Sequence, residues 1–233
     1  PVFLSVFYYL FGVYWPASLF VAVLNSFVPV FIFWLAFKLT ENLITSAIAG
    51  FLTALDYHIA VHTLTLNTES IFVFITVLAA VLIYKYLEKP DWKKAAVIGF
   101  LSGYAALTRP FFYYAVPLIF IFLLIAVLKR AEVKPPSAGG STSDKFKKAT
   151  IGAIVFLLVS LFIVVPWMYR NKQVSGEFTL STLGWYNMYT RMAVMVNAAA
   201  SRRSYLQSSE EMLSRLKEEG VILRADEHEL FDV

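Results

Sequence analysis

Asp56-Tyr57-His58-Ile59-Ala60-Val61-His62-Thr63-Leu64-Thr65-Leu66-Asn67-Thr68-Glu69 is an island of ionisable and hydroxyl side chains between two apolar runs, Leu43–Leu55 behind it and Ile71–Tyr84 ahead. Carboxylates and imidazoles cost a few kcal/mol each inside hydrocarbon, so beside such runs they face a cavity or a partner. Read as a polar turn between two membrane spans, this stretch decides the fold. It also becomes a candidate for part of a site on one face of the membrane.

The runs repeat outward in both directions. Residues 2–15 are aromatic and too short to cross, so they read as an interfacial or re-entrant helix, or as the end of a truncated span, with Tyr8, Tyr9, Tyr14 and Trp15 suited to headgroup level. Ala17–Phe37, Leu43–Val61, Ser70–Tyr86, Ala95–Leu107, Phe111–Leu128 and Ala149–Trp167 follow as about six spans. Ser46/Gly50 and Gly99/Gly103 are pairs of small residues four apart, the spacing that lets helices approach closely. The expected fold is therefore an all-α, polytopic transmembrane bundle over residues 1–169, with a basic linker at 129–148. Residues 170–233 form a small extracytoplasmic segment: Ser208 to Glu211 reads as a capping box, and a further helix starts near Asp226. The chain starts at Pro1 directly in apolar sequence and ends at Val233 inside a helical pattern, so it reads as part of a longer protein.

Composition supports the membrane assignment. Of 233 residues 59% are hydrophobic and only 15% charged, with mean hydropathy +0.66, against roughly 25% charged in soluble domains. The net charge of +4 does not indicate nucleic acid, because the basic residues sit in links and do not interleave with aromatics along a groove. With no cysteine, thiol catalysis, disulfides and thiolate metal sites are excluded. The links at 38–42, 85–94 and 129–148 carry 1, 4 and 6 Lys or Arg, while residues 56–69 carry none and 108–110 one. By the positive-inside rule the basic links are cytoplasmic. Asp56–Glu69, Arg109 and everything after Arg170 then share the extracytoplasmic face of a plasma (inner) membrane.

Several residues on that face are candidates for chemistry. Glu69 opens a span, where a carboxylate serves as general base, hydroxyl acceptor or metal ligand, or simply favours the helix dipole. His58 and His62 share a helical face near Asp56, a set that could hold a divalent metal ion, although no metalloprotease pattern surrounds it. Arg109 and Arg170 follow spans; guanidinium groups bind phosphate bidentately, or snorkel to lipid headgroups. Trp185 and Tyr186 could stack on a sugar or sit in the aromatic belt. No glycine-rich phosphate loop or nucleophile elbow is present.

Tyr9-Leu10-Phe11-Gly12, Leu66-Asn67-Thr68-Glu69-Ser70, Leu107-Thr108-Arg109-Pro110 and Val165-Pro166-Trp167-Met168-Tyr169-Arg170-Asn171 occur in this order, followed by Gly176-Glu177-Phe178 and Leu180-Ser181-Thr182. The series resembles the polytopic GT-C glycosyltransferases, in particular the bacterial branch akin to protein O-mannosyltransferases and lipid A aminoarabinose transferases. The resemblance implies transfer of a sugar from a polyprenyl-phosphate donor to an extracytoplasmic lipid, glycan or protein. It maps Glu69 to the supporting acidic residue of the second outer loop. It also suggests Arg109 and Arg170 as phosphate contacts, with Thr68, Asn171, Trp185 and Tyr186 as further substrate-binding candidates. The family's main catalytic carboxylate lies in the first outer loop, before the equivalent of Pro1, so the resemblance implies that this stretch alone is inactive. Two other readings stay open. A lipid-linked sugar flippase or transporter predicts ionisable residues and broken helices at the midplane. A non-catalytic scaffold leaves the one-sided polar clustering unexplained.

Overall fold

The computed structural model describes residues 2–64, 67–133, 142–181 and 192–218, and no strand occurs among them. The chain divides into two compact units, Pro1–Leu180 and Ser181–Val233. The first contains α1 (Val2–Phe11), α2 (Trp15–Ser26), α3 (Val28–Thr40), α4 (Leu43–Ala54) and α5 (Tyr57–Leu64). It continues with α6 (Thr68–Glu88), α7 (Trp92–Thr108), a 3-10 turn (Pro110–Tyr114), α8 (Ala115–Val133) and α9 (Thr142–Ser175). The described part of the second unit holds α10 (Val194–Ser201) and α11 (Tyr205–Glu218).

Packing runs opposite to that of a soluble core. The fully enclosed positions are mostly small, among them Ala17, Ser46, Ala95, Ala105, Ala106, Ala153 and Ser160, while Phe162, Leu39 and Ile44 stand more than 70% exposed. In lipid nothing drives large apolar side chains inward, so helices associate by close backbone approach and leave bulky residues to the hydrocarbon. The small pairs act accordingly. A Cβ on Gly99 would lie 2.5 Å from the Phe156 carbonyl oxygen of α9, and one on Gly103 2.9 Å from Ile163 Cβ. One on Gly50 would meet Phe33 Cβ of α3 at 3.0 Å.

These contacts set the directions of the helices. Gly99 opposite Phe156 and Gly103 opposite Ser160 make α7 and α9 parallel. Rings of Phe31 and Phe74, then Trp34 and Tyr84, make α3 and α6 parallel. Glu69 meets Arg109 at one end and Lys94 donates to the Lys85 and Lys89 carbonyls at the other, so α6 and α7 are antiparallel. Glu69, Arg109 and the last turns of α9 consequently share one end of the bundle, and Lys89, Lys94 and Lys148 the other. Buried Tyr86 fastens the second end, its hydroxyl donating to the Ala149 carbonyl at 3.2 Å across from Gly152.

Three expectations change. Among the described residues three helices, not six, are long and apolar enough to span: Trp15–Thr40 (α2 with α3), Thr68–Glu88 and Lys147–Ser175. Counting the bent pair α4–α5 as one raises this to four. For α7 the difference is one of length: it has 17 residues, about 26 Å of helix against ~30 Å of hydrocarbon. Second, Leu43–Val61 is not one helix, because α4 and the α5 stretch Tyr57–Thr63 diverge by 43°. Asp56 makes that break, its Oδ1 accepting the N–H of His58 at 2.8 Å and of Ile59 at 3.4 Å, so it caps a new helix.

The third change concerns the second unit. The capping box is Ser204–Gln207, four residues before the expected one: Gln207 N–H donates to Ser204 Oγ (3.2 Å) and Ser204 N–H to Gln207 Oε1 (3.3 Å). A left-handed Arg202 (φ 52°) turns the chain just ahead of it, so the helix can start there. Ser208 is then buried inside α11, and Glu211 pairs with Arg203 and Arg215.

Candidate functional site

Arg109 owes its position to the proline behind it. A residue before proline is driven out of the helical region, and Arg109 is extended (φ −136°, ψ 100°), ending α7 with its N–H still on the Ala105 carbonyl at 2.9 Å. The 3-10 turn that follows lays Phe111 and Phe112 edge-on against Phe72 of α6, ring centroids 5.6 and 5.4 Å apart. Phe72 is one turn beyond Glu69 on the same face of α6, as i,i+3 spacing requires. The aromatic cluster therefore carries the end of α7 to the first turn of α6, where Arg109 and Glu69 form an ion pair.

Both partners are about one-third exposed, 33% and 32%. Thr68 Oγ1 donates to the second carboxylate oxygen, Glu69 Oε2, at 3.2 Å, and His62 lies within electrostatic reach of the same carboxylate. This is a wetted charge pair on an apolar shelf, with one guanidinium and one carboxylate oriented by fixed backbone. It offers a cationic fork for a phosphate and a carboxylate for a hydroxyl proton, side by side.

The other sequence candidates take different positions. Arg170 lies towards the same end, two residues past Met168, which packs with Leu107 and Tyr113 on a cluster of Ala106, Val164 and Leu180. Its guanidinium does not join the pair: it stacks on Trp167, 5.0 Å from the ring centroid, and donates to Asn171 Oδ1 at 3.3 Å. Asn171 spends its amide on the backbone, donating to the Thr179 and Leu180 carbonyls at 3.0 Å each. Between them Gly176 (φ +81°) reverses the chain, a conformation that costs glycine nothing. Trp185 and Tyr186 lie outside the described residues.

The metal set is corrected. Among the described residues no group of three His, Cys, Asp or Glu side chains is placed to hold a metal ion. Asp56 caps α5, His58 and His62 stack with centroids 6.4 Å apart, and His62 Nδ1 lies 3.0 Å from Asn67 Nδ2. Sequence reasoning missed the Phe72–Phe111–Phe112 support, which periodicity does not separate from lipid-facing phenylalanines. It also missed Asn25, whose buried amide donates to Thr63 Oγ1 at 2.8 Å and ties α2 to α5.

Fold and site together define a polytopic, all-helical membrane protein with a paired carboxylate and guanidinium at one end of its bundle. Residues 1–170 match the family model described as dolichyl-phosphate-mannose-protein mannosyltransferase. The chain belongs to that family of membrane glycosyltransferases, GT-C in type. No curated protein and no solved structure matches it.

Proposed function

We propose that the protein transfers a sugar, mannose or a related residue, from a polyprenyl-phosphate donor to an acceptor on the extracytoplasmic side of the plasma membrane. The observation that carries this reading is the Glu69–Arg109 pair at the bundle end, inside the stretch that matches the family. In the reaction the anomeric C–O bond to phosphate breaks, and the phosphate leaves with the electron pair. The acceptor oxygen bonds to the anomeric carbon, and its proton passes to a carboxylate. Positive charge at the departing phosphate lowers the barrier, because the donor gains charge there as the bond breaks.

Arg109 is the cation for that role, with Glu69 as the supporting carboxylate. An ion pair exposed to this degree is worth only ~0.2–1 kcal/mol, so the donor's phosphodiester, which gains a second negative charge as the bond to the sugar breaks, can take the guanidinium from Glu69 at small cost. The released carboxylate is then free to accept a hydroxyl. Arg170, stacked on Trp167, is a second cation towards the same end for the lipid phosphate. Thr68 keeps the Glu69 carboxylate oriented.

The test is a purified, detergent-solubilised preparation of the native protein given a polyprenyl-phosphate mannose labelled in the sugar. Stoichiometric appearance of polyprenyl phosphate and a glycosylated acceptor supports transfer. Movement of the intact donor across a proteoliposome membrane, with the sugar–phosphate bond unbroken, would instead make the protein a translocator.

A further inference from the structure

At the end of the bundle opposite Glu69, a cavity of about 460 Å³ opens between the α6–α7 link and α9. Lys89, Pro90, Asp91, Trp92 and Lys94 line it from the link and the start of α7, and Lys148 and Ile151 from α9. Lys94 is held in place: its Nζ donates to the Lys85 and Lys89 carbonyls at 3.0 and 3.1 Å, capping the C-terminus of α6. The Asp91 carboxylate is occupied by the backbone, accepting the Lys93 N–H at 3.2 Å as the cap of α7. Lys89 and Lys148 are exposed and neither has a carboxylate partner among the described residues. Three lysines thus line one cavity with a single acidic residue, Asp91.

The depth of the cavity is fixed by α6. Its 21 residues give about 31 Å of helix, the thickness of the hydrocarbon, so Lys89 directly after it lies at the hydrocarbon edge. Trp92, 55% exposed, has the amphipathic ring of the headgroup level, and Ile151, 52% exposed, continues the wall toward the apolar side. A soluble anion needs only the lysines; this site has an apolar margin as well.

We propose that the cavity holds the phosphate of an anionic lipid headgroup, with Lys89 and Lys148 as its direct ligands and Lys94 as a fixed background charge. The acyl glycerol portion lies against Trp92 and Ile151. This site is separate from the Glu69–Arg109 pair and does not rest on its role in sugar transfer.

The experiment is native mass spectrometry of the delipidated native protein titrated with phosphatidylglycerol, phosphatidylcholine or inorganic phosphate. Lys89→Gln/Lys148→Gln is compared with Lys38→Gln/Lys147→Gln, which removes the same charge outside the cavity. Retained helicity and melting temperature establish that both variants are folded. Wild type should prefer phosphatidylglycerol, and the cavity pair should lose about fivefold in affinity per lysine removed, while the control pair loses much less. Equal losses in both pairs, or equal binding of the two lipids, would overturn the site. Displacement of phosphatidylglycerol by inorganic phosphate, with the same lysine dependence, would assign the cavity to a free anion and overturn the lipid source.

Discussion

Arg109, the residue that ends α7, is ion-paired to Glu69 in the first turn of α6, although 40 positions separate them in the chain. Three local rules meet at this contact. Pro110 forces Arg109 out of the helix, the Phe72–Phe111–Phe112 cluster fixes the height of the turn, and the start of α6 sets the carboxylate at the same end. The pair is too exposed to contribute much stability. In the proposed function its role is to bind the donor phosphate and the acceptor.

A double-mutant cycle separates those contributions. Glu69→Gln and Arg109→Gln should each change the melting temperature little but lower sugar transfer by tenfold or more. The double variant should fall well short of the summed losses, with a coupling of ~0.5–3 kcal/mol. Arg109→Lys keeps the charge but loses the planar fork, so it should raise KM for the donor more than it lowers kcat. Full additivity would mean that the two side chains act independently.

Helix packing gives a prediction of the opposite kind. Gly99→Ala puts a methyl group 2.5 Å from the Phe156 carbonyl oxygen, a backbone atom that cannot swing aside. The cost should be ~1–3 kcal/mol, read as a lowered unfolding midpoint in detergent. Phe162→Leu, at a residue 76% exposed, should stay within ~0.5 kcal/mol.

The Asn25 and Thr63 side chains tie α2 to α5, with Asn25 5% and Thr63 8% exposed. Hydrogen bonds inside membrane bundles average ~0.6 kcal/mol in such cycles and reach ~1.7. Asn25→Ala combined with Thr63→Val should return a coupling in that range by reversible unfolding. Thr63→Ser keeps the hydroxyl and should keep most of it.

Asn171 offers a choice between two roles. If its amide serves chiefly to hold the Thr179 and Leu180 carbonyls, Asn171→Asp should behave like Asn171→Ala despite its shape, because it has no donor. Both variants should then show faster amide hydrogen exchange over residues 176–181 with KM for the donor unchanged. A raised KM with unchanged exchange would make Asn171 a substrate contact instead.

Much of this was legible in the sequence because hydrophobic runs, small pairs and the Arg-Pro step act locally. Gly99 and Gly103 announced a helix contact by spacing alone, and the structure supplies α9 as the partner. Lysine distribution separated the two ends of the bundle before any helix was placed. Asp56 shows what local reading misses: the residue looks like a ligand beside two histidines, yet its oxygen caps α5 and bends the span by 43°. Ser204 and Ser208 both begin plausible capping boxes, and only the turn at Arg202 selects the first. By length α7, at 17 residues, falls short of a full span although it is apolar through much of its course. The phenylalanine shelf under Arg109 was invisible because lipid-facing and inward-facing phenylalanines share one composition.

The most direct measurement is the rate of sugar transfer from polyprenyl-phosphate mannose by the native protein in proteoliposomes, wild type against Glu69→Ala, with equal helicity and melting temperature as the control. The account predicts a loss of more than tenfold in the variant. Transfer at the wild-type rate would contradict it, removing Glu69 and its pair with Arg109 from the site.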